Sequence, residues 1–424
     1  MADLRQLDRQ VMWHPFTQMA EWDPLVIVAG EGNYLVDGEG RRYLDGVSSL
    51  WCNLHGHRHP RLDRALREQL DRVAHVTFLG LTHEPGIRLG AALLEVAPPG
   101  LTRVFYSDSG ATAVEIALKQ SFQYWQLRGQ PSKQRFLRLG EAYHGDTLGA
   151  VGVGGIELFH RIFGPLLVRS IAIPTPAGTD GTEALGELAR QLEAHGRDIA
   201  ALVLEPLIQG AAGMLVHPRG FLSAAAELCR RHAVHLIVDE VATGFGRTGT
   251  MFACEQERVS PDFLCLAKGI SGGYLPLAAT LTTEDIYAAF LGKREELKQF
   301  FHGHTYTANP LACAVGLESL ALLRESSLAN ACVRIPDMAA ALGRIEQLRG
   351  VQAIRRCGLM AGIELESGDG RFLGAEVCTR ARDHGVILRP LGDVVVWMPP
   401  LTLQSGDLAL LEHATTSAIH EALG

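Results

Sequence analysis

Short apolar runs alternate with amphipathic stretches along most of this chain. From Arg61 onward Leu62, Leu66 and Leu70 recur at helical spacing, as do Val114, Ala117, Leu118 and Phe122. Between such stretches lie apolar runs at 103–106, 135–139, 167–173, 199–204, 235–238 and 263–266. Runs of this kind, separated by helices, predict a mostly parallel sheet covered on both faces, an α/β fold. The first 50 residues differ: strand-like runs at 24–29, 34–36 and 43–44 sit between Gly and Asp turns. A long helical segment follows Asn309-Pro310 through Leu323, and mixed helices and strands continue to the end. The pattern divides the chain into an N-terminal segment (1–49) that joins a small domain, a large domain (50–318) and a smaller α+β domain (319–424).

Composition narrows the function classes. With 424 residues, 47% hydrophobic and 20% charged, the chain has material for a large core. Its 39 Lys+Arg against 47 Asp+Glu give a net charge of −8, which argues against a nucleic-acid partner. The most apolar stretch, 199–216, is interrupted by Glu205, Pro206 and Gln209, so no membrane span is expected. Residues 1–10 are too charged for the apolar core of a signal peptide. The 8 cysteines are scattered without metal-ligand or disulfide spacing. These features predict a soluble, cytoplasmic protein.

In an open α/β sheet, ligands collect beyond the carboxyl ends of the strands, so the residues after each apolar run are the candidates. Ser107-Asp-Ser-Gly110-Ala111-Thr112 follows the first and opens a helix expected near Ala113; such a turn offers free backbone N–H groups to a phosphate, though it also serves as an ordinary helix cap. Gly140-Glu-Ala-Tyr143-His144-Gly145-Asp146 brings together aromatic, imidazole and carboxylate groups able to stack on a flat ring, or simply forms a polar turn. Asp239 ends the run at 235–238, where a buried carboxylate is costly unless a cation faces it; a protonated heterocyclic nitrogen would be one. Lys268 ends the next run between Ala267 and Gly269, where desolvation would lower its pKa and suit it to bond a carbonyl. His55, His57, His59, His302 and His304 lack metal-ligand spacing, and no metal is expected.

In this order, the phosphate turn, the Tyr143-His144 loop, Asp239 and Lys268 resemble the class III (ω-amino) pyridoxal-phosphate aminotransferases of fold type I. Val238-Asp-Glu-Val-Ala-Thr-Gly-Phe-Gly-Arg-Thr-Gly249 followed by Lys268 carries the resemblance, which spans essentially the whole chain. It implies a large domain with a mostly parallel seven-stranded sheet, pyridoxal 5'-phosphate as cofactor, and a homodimer. Lys268 would form the Schiff base and shuttle the proton, and Asp239 would pair with the pyridine N–H. Gly110 and Ala111 would bind the phosphate, Tyr143 and His144 would lie against the ring, and Gly303, His304 and Thr305 would complete the phosphate site from the neighbouring subunit.

Trp13-His-Pro-Phe-Thr-Gln-Met19, His55-Gly56, His59-Pro60, Gln123-Tyr-Trp125, Tyr143-His-Gly-Asp-Thr147, Gly303-His-Thr305 and Arg389-Pro390 are similar to a narrower subgroup, which serves biotin synthesis. That subgroup moves an amino group onto 8-amino-7-oxononanoate, usually from S-adenosylmethionine. The resemblance implies a substrate wall at Trp51, contacts from Tyr143 and Asp146, and a carboxylate grip by Arg389. Three positions depart from it: Phe16 replaces a common tyrosine, Leu50 the first of two tryptophans, and Val396 another tyrosine. Phe16-Thr-Gln-Met19, Gly272-Gly-Tyr-Leu-Pro276 and Gly303-His304 instead resemble a variant using lysine as donor, so the donor stays open. In family members that use glutamate, a carboxylate after the Glu-Pro motif neutralises the substrate-binding arginine. Glu205-Pro-Leu-Ile-Gln-Gly-Ala211 has alanine there. A general ω-amino-acid aminotransferase is the alternative reading.

Overall fold

The computed structural model describes residues 2–168, 170–366 and 372–423. Seven strands build the central sheet in the order Leu101–Ser107, Ala278–Thr283, Phe263–Leu266, His235–Asp239, Ile199–Leu204, Arg135–Leu139, Ile171–Ile173. Five adjacent strands run parallel, while Ala278–Thr283 is antiparallel to both its neighbours. The three central strands are buried at every position, and apart from His235 and Asp239 their sequence is apolar, as burial on both faces requires. The expected α/β fold with a mostly parallel seven-stranded sheet is therefore present.

Three details differ from the sequence pattern. The strand Ala278–Thr283 has no strong apolar run because small and Thr residues fill it. It is buried nonetheless, since Thr280 and Thr282 satisfy their hydroxyls on the carbonyls of Ala113 (2.8 Å) and Asp262 (3.0 Å). The run at 167–173 contributes only Ile171–Ile173, with Val168 lying exposed before it. The helix Gly110–Leu127 starts earlier than Ala113 because Ser109 caps it, accepting from Thr112 N while Ser109 N donates back to the Thr112 hydroxyl.

The strands Ile27–Glu31, Tyr34–Asp37 and Arg42–Asp45 form an antiparallel meander whose third member pairs with Val386–Ile387, tying the N-terminal segment to the C-terminal part. A second small sheet holds Val351–Cys357, Met360–Leu365, Val394–Trp397 and Arg389–Leu391. The helices Leu328–Ile345 and Leu373–Arg380 both pack against the last helix, Ser405–Leu423.

Candidate active site

A cavity of about 720 Å³ opens where the carboxyl ends of the parallel strands meet the start of the helix Gly110–Leu127. Asp239, Lys268, Glu205, Gly110, Ala111, Tyr143, His144, Asp146, Leu50 and Trp51 all reach it. The sheet order explains this: strands distant in sequence end side by side.

Lys268 follows the strand Phe263–Leu266 with a φ of +44°, a left-handed conformation rare for lysine and typical of strained functional positions. Its ammonium sits 5.2 Å from the ring centre of Trp51. Desolvation lowers its pKa from the ordinary lysine value, against the opposing pull of Asp239 and Glu205. Asp239 is buried; its Oδ1 accepts from Val241 N at 3.0 Å and its Oδ2 lies 2.7 Å from His144 Nδ1. His144 Nε2 is buried and has no partner among the described residues.

At the helix start, the capping pair of Ser109 and Thr112 leaves the amides of Gly110 and Ala111 free to face the cavity. A side chain at 110 would meet Val241 Cγ1 at 2.6 Å, and one at 145 would meet Ala111 Cβ at 2.4 Å with a φ of +116° already demanding glycine. Close backbone approach, free amides and a helix N-terminus suit a phosphate. A deep carboxylate, a desolvated lysine and an aromatic flank suit a protonated pyridine ring bearing an aldehyde. The residues present thus fit pyridoxal phosphate.

Tyr143 donates to Asp146 Oδ2 at 2.8 Å, and its ring lies parallel to His160 (centroids 6.3 Å, 11°). Burial and Asp146 push its phenol pKa up. Phe16 is exposed and packs edge-on against Phe159, which in turn meets Tyr143. Opposite Tyr143, Trp51 joins Val47, Ile208, Met214, Met360, Val396 and Met398 in an apolar cluster flanked by Ala211. Arg389 lies across from Val396 in the small sheet, half-buried, with its pKa lowered by desolvation. Among the described residues no hydrogen bond or ion pair engages its guanidinium, and Ala211 supplies no carboxylate.

Gly303 and Thr305 are exposed on the loop before the helix Pro310–Leu322, and His304 Nδ1 stands 4.0 Å from Asp108 Oδ2. Of the other histidines singled out, His55 bonds Ser319 and Ser327, His57 bonds Asp45, and His302 bonds Lys119. Among the described residues no cluster of three or more His, Cys, Asp or Glu could hold a metal.

Two buried charges at the site went unassigned in the sequence. Arg247, from the stretch after Asp239, donates to the carbonyls of Trp51, Asn53 and Pro399 and so fixes the turn carrying Trp51; burial lowers its pKa to about 10. Glu205 ends the strand Ile199–Leu204, and the reasoning that singled out Asp239, a carboxylate closing a buried apolar run, applies to it equally.

The sequence profile described as aminotransferase class III matches residues 17–423. The chain belongs to the class III aminotransferases. It is 52% identical to the adenosylmethionine-8-amino-7-oxononanoate aminotransferase of Nitratidesulfovibrio vulgaris, over 99% of this chain and 82% of that protein. The protein of the same name from Geobacter sulfurreducens is 49% identical over 99% and 98% of the two chains. Among solved structures, the adenosylmethionine-8-amino-7-oxononanoate aminotransferase of Methanocaldococcus jannaschii matches with a TM-score of 0.96 at 42% identity, covering 99% of both chains. An amine transaminase from an uncultivated Pseudomonas species, solved in its PLP-bound form, matches with a TM-score of 0.90 at 35% identity, covering 97% of this chain and 99% of that one.

Proposed function

We propose that this class III enzyme transfers an amino group to 8-amino-7-oxononanoate, giving 7,8-diaminononanoate for biotin synthesis, with S-adenosylmethionine or lysine as donor. The observation that carries the reading is Arg389: half-buried, without a hydrogen bond or ion pair among the described residues, it acts electrostatically on Tyr143, which lines the same cavity as Lys268 and Trp51. An acceptor with its reactive ketone near Lys268 and a chain of methylenes beside Trp51 would bring a distant carboxylate to the arginine, to be held bidentately. Relatives at 52% and 49% identity bear the name of that reaction.

Bound in the cavity, pyridoxal phosphate supplies the electron-withdrawing ring and the carbonyl carbon that stores the amino group between donor and acceptor. Lys268 would hold the cofactor and would move the proton at the reacting carbon; its lowered pKa favours the neutral amine that can accept it. Asp239, its carboxylate oriented by His144, would meet the ring nitrogen and keep it protonated. The amides of Gly110 and Ala111 bind the phosphate. Tyr143 covers the ring, Leu50 and Trp51 wall the substrate, and Asp146 with Tyr143 takes the substrate amine near Phe16.

Thr305, with Gly303 and His304, completes the phosphate site of a second copy, so the working unit is a homodimer; exposure of Gly303 and Thr305 supports this. Eight free cysteines accord with a cytoplasmic setting. Among the described residues no helix is long and apolar enough to cross a membrane, and the net charge of −8 speaks against a nucleic-acid partner.

The test incubates purified holoenzyme with 8-amino-7-oxononanoate and each donor, with 7,8-diaminononanoate quantified by mass spectrometry. Product with either donor supports the reading. No product, with rapid transfer from simple ω-amino acids to pyruvate, replaces it with the general ω-aminotransferase, which Phe16, Leu50 and Val396 would then explain.

A further inference from the structure

Glu205 is a buried carboxyl that the steps above do not use. Its Oε2 accepts from the backbone N–H of Tyr143 at 3.2 Å, and its Oε1 accepts from that of Gly210 at 2.9 Å. The two donors belong to different segments beside the cavity. Tyr143 covers the cofactor position, while Gly210 lies so close to Trp51 that a side chain there would meet the indole at 3.3 Å. One carboxylate therefore spans the cavity floor and sets how far the Tyr143 wall stands from the Trp51–Ala211 wall.

Its charge also falls inside the site. Asp239, His144 and Lys268 are the charged or titratable groups that act on it or feel it. Burial and Asp239 raise its pKa to about 7, opposed by His144 and the two backbone donors. Next to it, Gln209 makes a second, uncharged link: its Nε2 donates to Gly140 O at 2.7 Å and its Oε1 accepts from Thr175 at 2.5 Å. The base of the Tyr143 loop thus has an anchor independent of Glu205, and the fold does not rest on the carboxylate alone.

We propose that Glu205 is a positioning residue: its carboxyl group, accepting from the Tyr143 and Gly210 amides at once, fixes the spacing of the segments that carry them and, when ionised, places a second negative charge beside Asp239 on the cavity that holds Lys268. This rests on the cofactor and on Lys268, and it holds whichever acceptor the enzyme uses.

Glu205→Gln and Glu205→Asp holoenzymes separate the two effects. Glutamine keeps the shape but accepts only one of the two N–H groups and carries no charge. The pH midpoint at which the bound cofactor's visible absorbance changes form should fall by about 1 unit, and kcat/KM should drop about 10- to 100-fold. Aspartate keeps the charge but lacks the reach, so its midpoint should stay near wild type while kcat/KM still drops. The midpoint is read without any substrate, so failure here is distinguishable from a wrong acceptor. A Gln variant with wild-type midpoint and kcat/KM, changed only in thermal stability, overturns the proposal. Should the Gln variant not fold, the Asp variant decides: lowered kcat/KM at an unchanged midpoint supports it, and wild-type kcat/KM overturns it.

Discussion

Asp239 and His144 face each other across 2.7 Å at the floor of the cavity, both buried, with the imidazole Nδ1 on the carboxylate Oδ2. The contact assigns the Nδ1 proton to the shared hydrogen bond and leaves Nε2 without a protein partner. One carboxylate oxygen is thus committed to His144, and the other is oriented by Val241 N. A carboxylate held from two sides is ready to meet a cationic ring nitrogen without reorganising.

Asp239→Asn should therefore leave the cofactor bound and slow the donor half-reaction by about two orders of magnitude or more, because the amide cannot hold the ring nitrogen protonated. Stopped-flow absorbance under single-turnover conditions measures it. Wild-type rates would refute the role of Asp239.

Much of this site was legible because chemistry sat at the ends of readable strands. The runs at 236–238 and 263–266 are apolar throughout, so Asp239 and Lys268 stand out as charges placed where burial makes them costly. Glu205 meets the same criterion after the run 199–204, but in the sequence it also interrupts the longer apolar stretch 199–216, and its contacts to Tyr143 and Gly210 exist only in the fold. The strand Ala278–Thr283 was invisible for a different reason: its threonines hide their hydroxyls on carbonyls supplied by distant residues, a tertiary satisfaction that local pattern does not encode. Likewise, the three carbonyls that engage Arg247 come from segments near residues 50 and 400. Only the folded chain brings them together.

Acid stability follows from His235, a buried imidazole stacked on Trp125 (4.5 Å) and bonded to Ser121. Desolvation, aided by the positive charge of Lys133, lowers its pKa from 6.5 to about 3. Between those values the unfolded chain binds a proton that the folded one does not, so this residue's contribution is complete above pH 6.5 and declines as pH falls. At pH 5 the loss amounts to about 2 kcal/mol. Urea unfolding of wild type and His235→Gln at pH 7.5 and pH 5 should show the variant less stable at pH 7.5, with the gap narrowing by about that amount at pH 5. Other buried acids and bases titrate in both proteins and cancel. A gap independent of pH would contradict the assignment.

A shared active site predicts complementation. Lys268→Ala and Thr305→Ala homodimers should each be impaired, the first by several orders of magnitude. In a mixed dimer, one site takes both defects and the other takes neither. Subunit exchange, followed by mass spectrometry, should restore roughly half the activity of wild type per heterodimer. Confirmed exchange with no recovery would place Thr305 in its own subunit's site or outside both.

The unpaired Arg389 bears on the choice of donor. A guanidinium half-buried beside apolar residues is costly to leave alone, and Ala211, in the stretch after Glu205-Pro206, supplies no carboxylate to neutralise it. Desolvation already depresses its pKa against the opposing pull of Tyr143 and Cys378, and among the described residues no carboxylate pairs with it. The site thus stays cationic in both half-reactions. A substrate whose only carboxylate lies far from the reacting carbon satisfies the arginine each time. A dicarboxylate must also place its second acid group near Tyr143, Asp146 and Asp239, where the charge is already negative. Glutamate and 2-oxoglutarate should therefore be poor substrates, whereas lysine or S-adenosylmethionine brings a positive group to Asp146. Mixing each donor with holoenzyme and following loss of the cofactor's resting absorbance distinguishes them. Arg389→Ala should raise KM for 8-amino-7-oxononanoate by about 10- to 100-fold, the range of one lost charge-assisted pair, with little change in the rate at which lysine or S-adenosylmethionine discharges its amine if that donor binds through Asp146. Rapid conversion by glutamate alone would reject both the donor assignment and the role of Arg389.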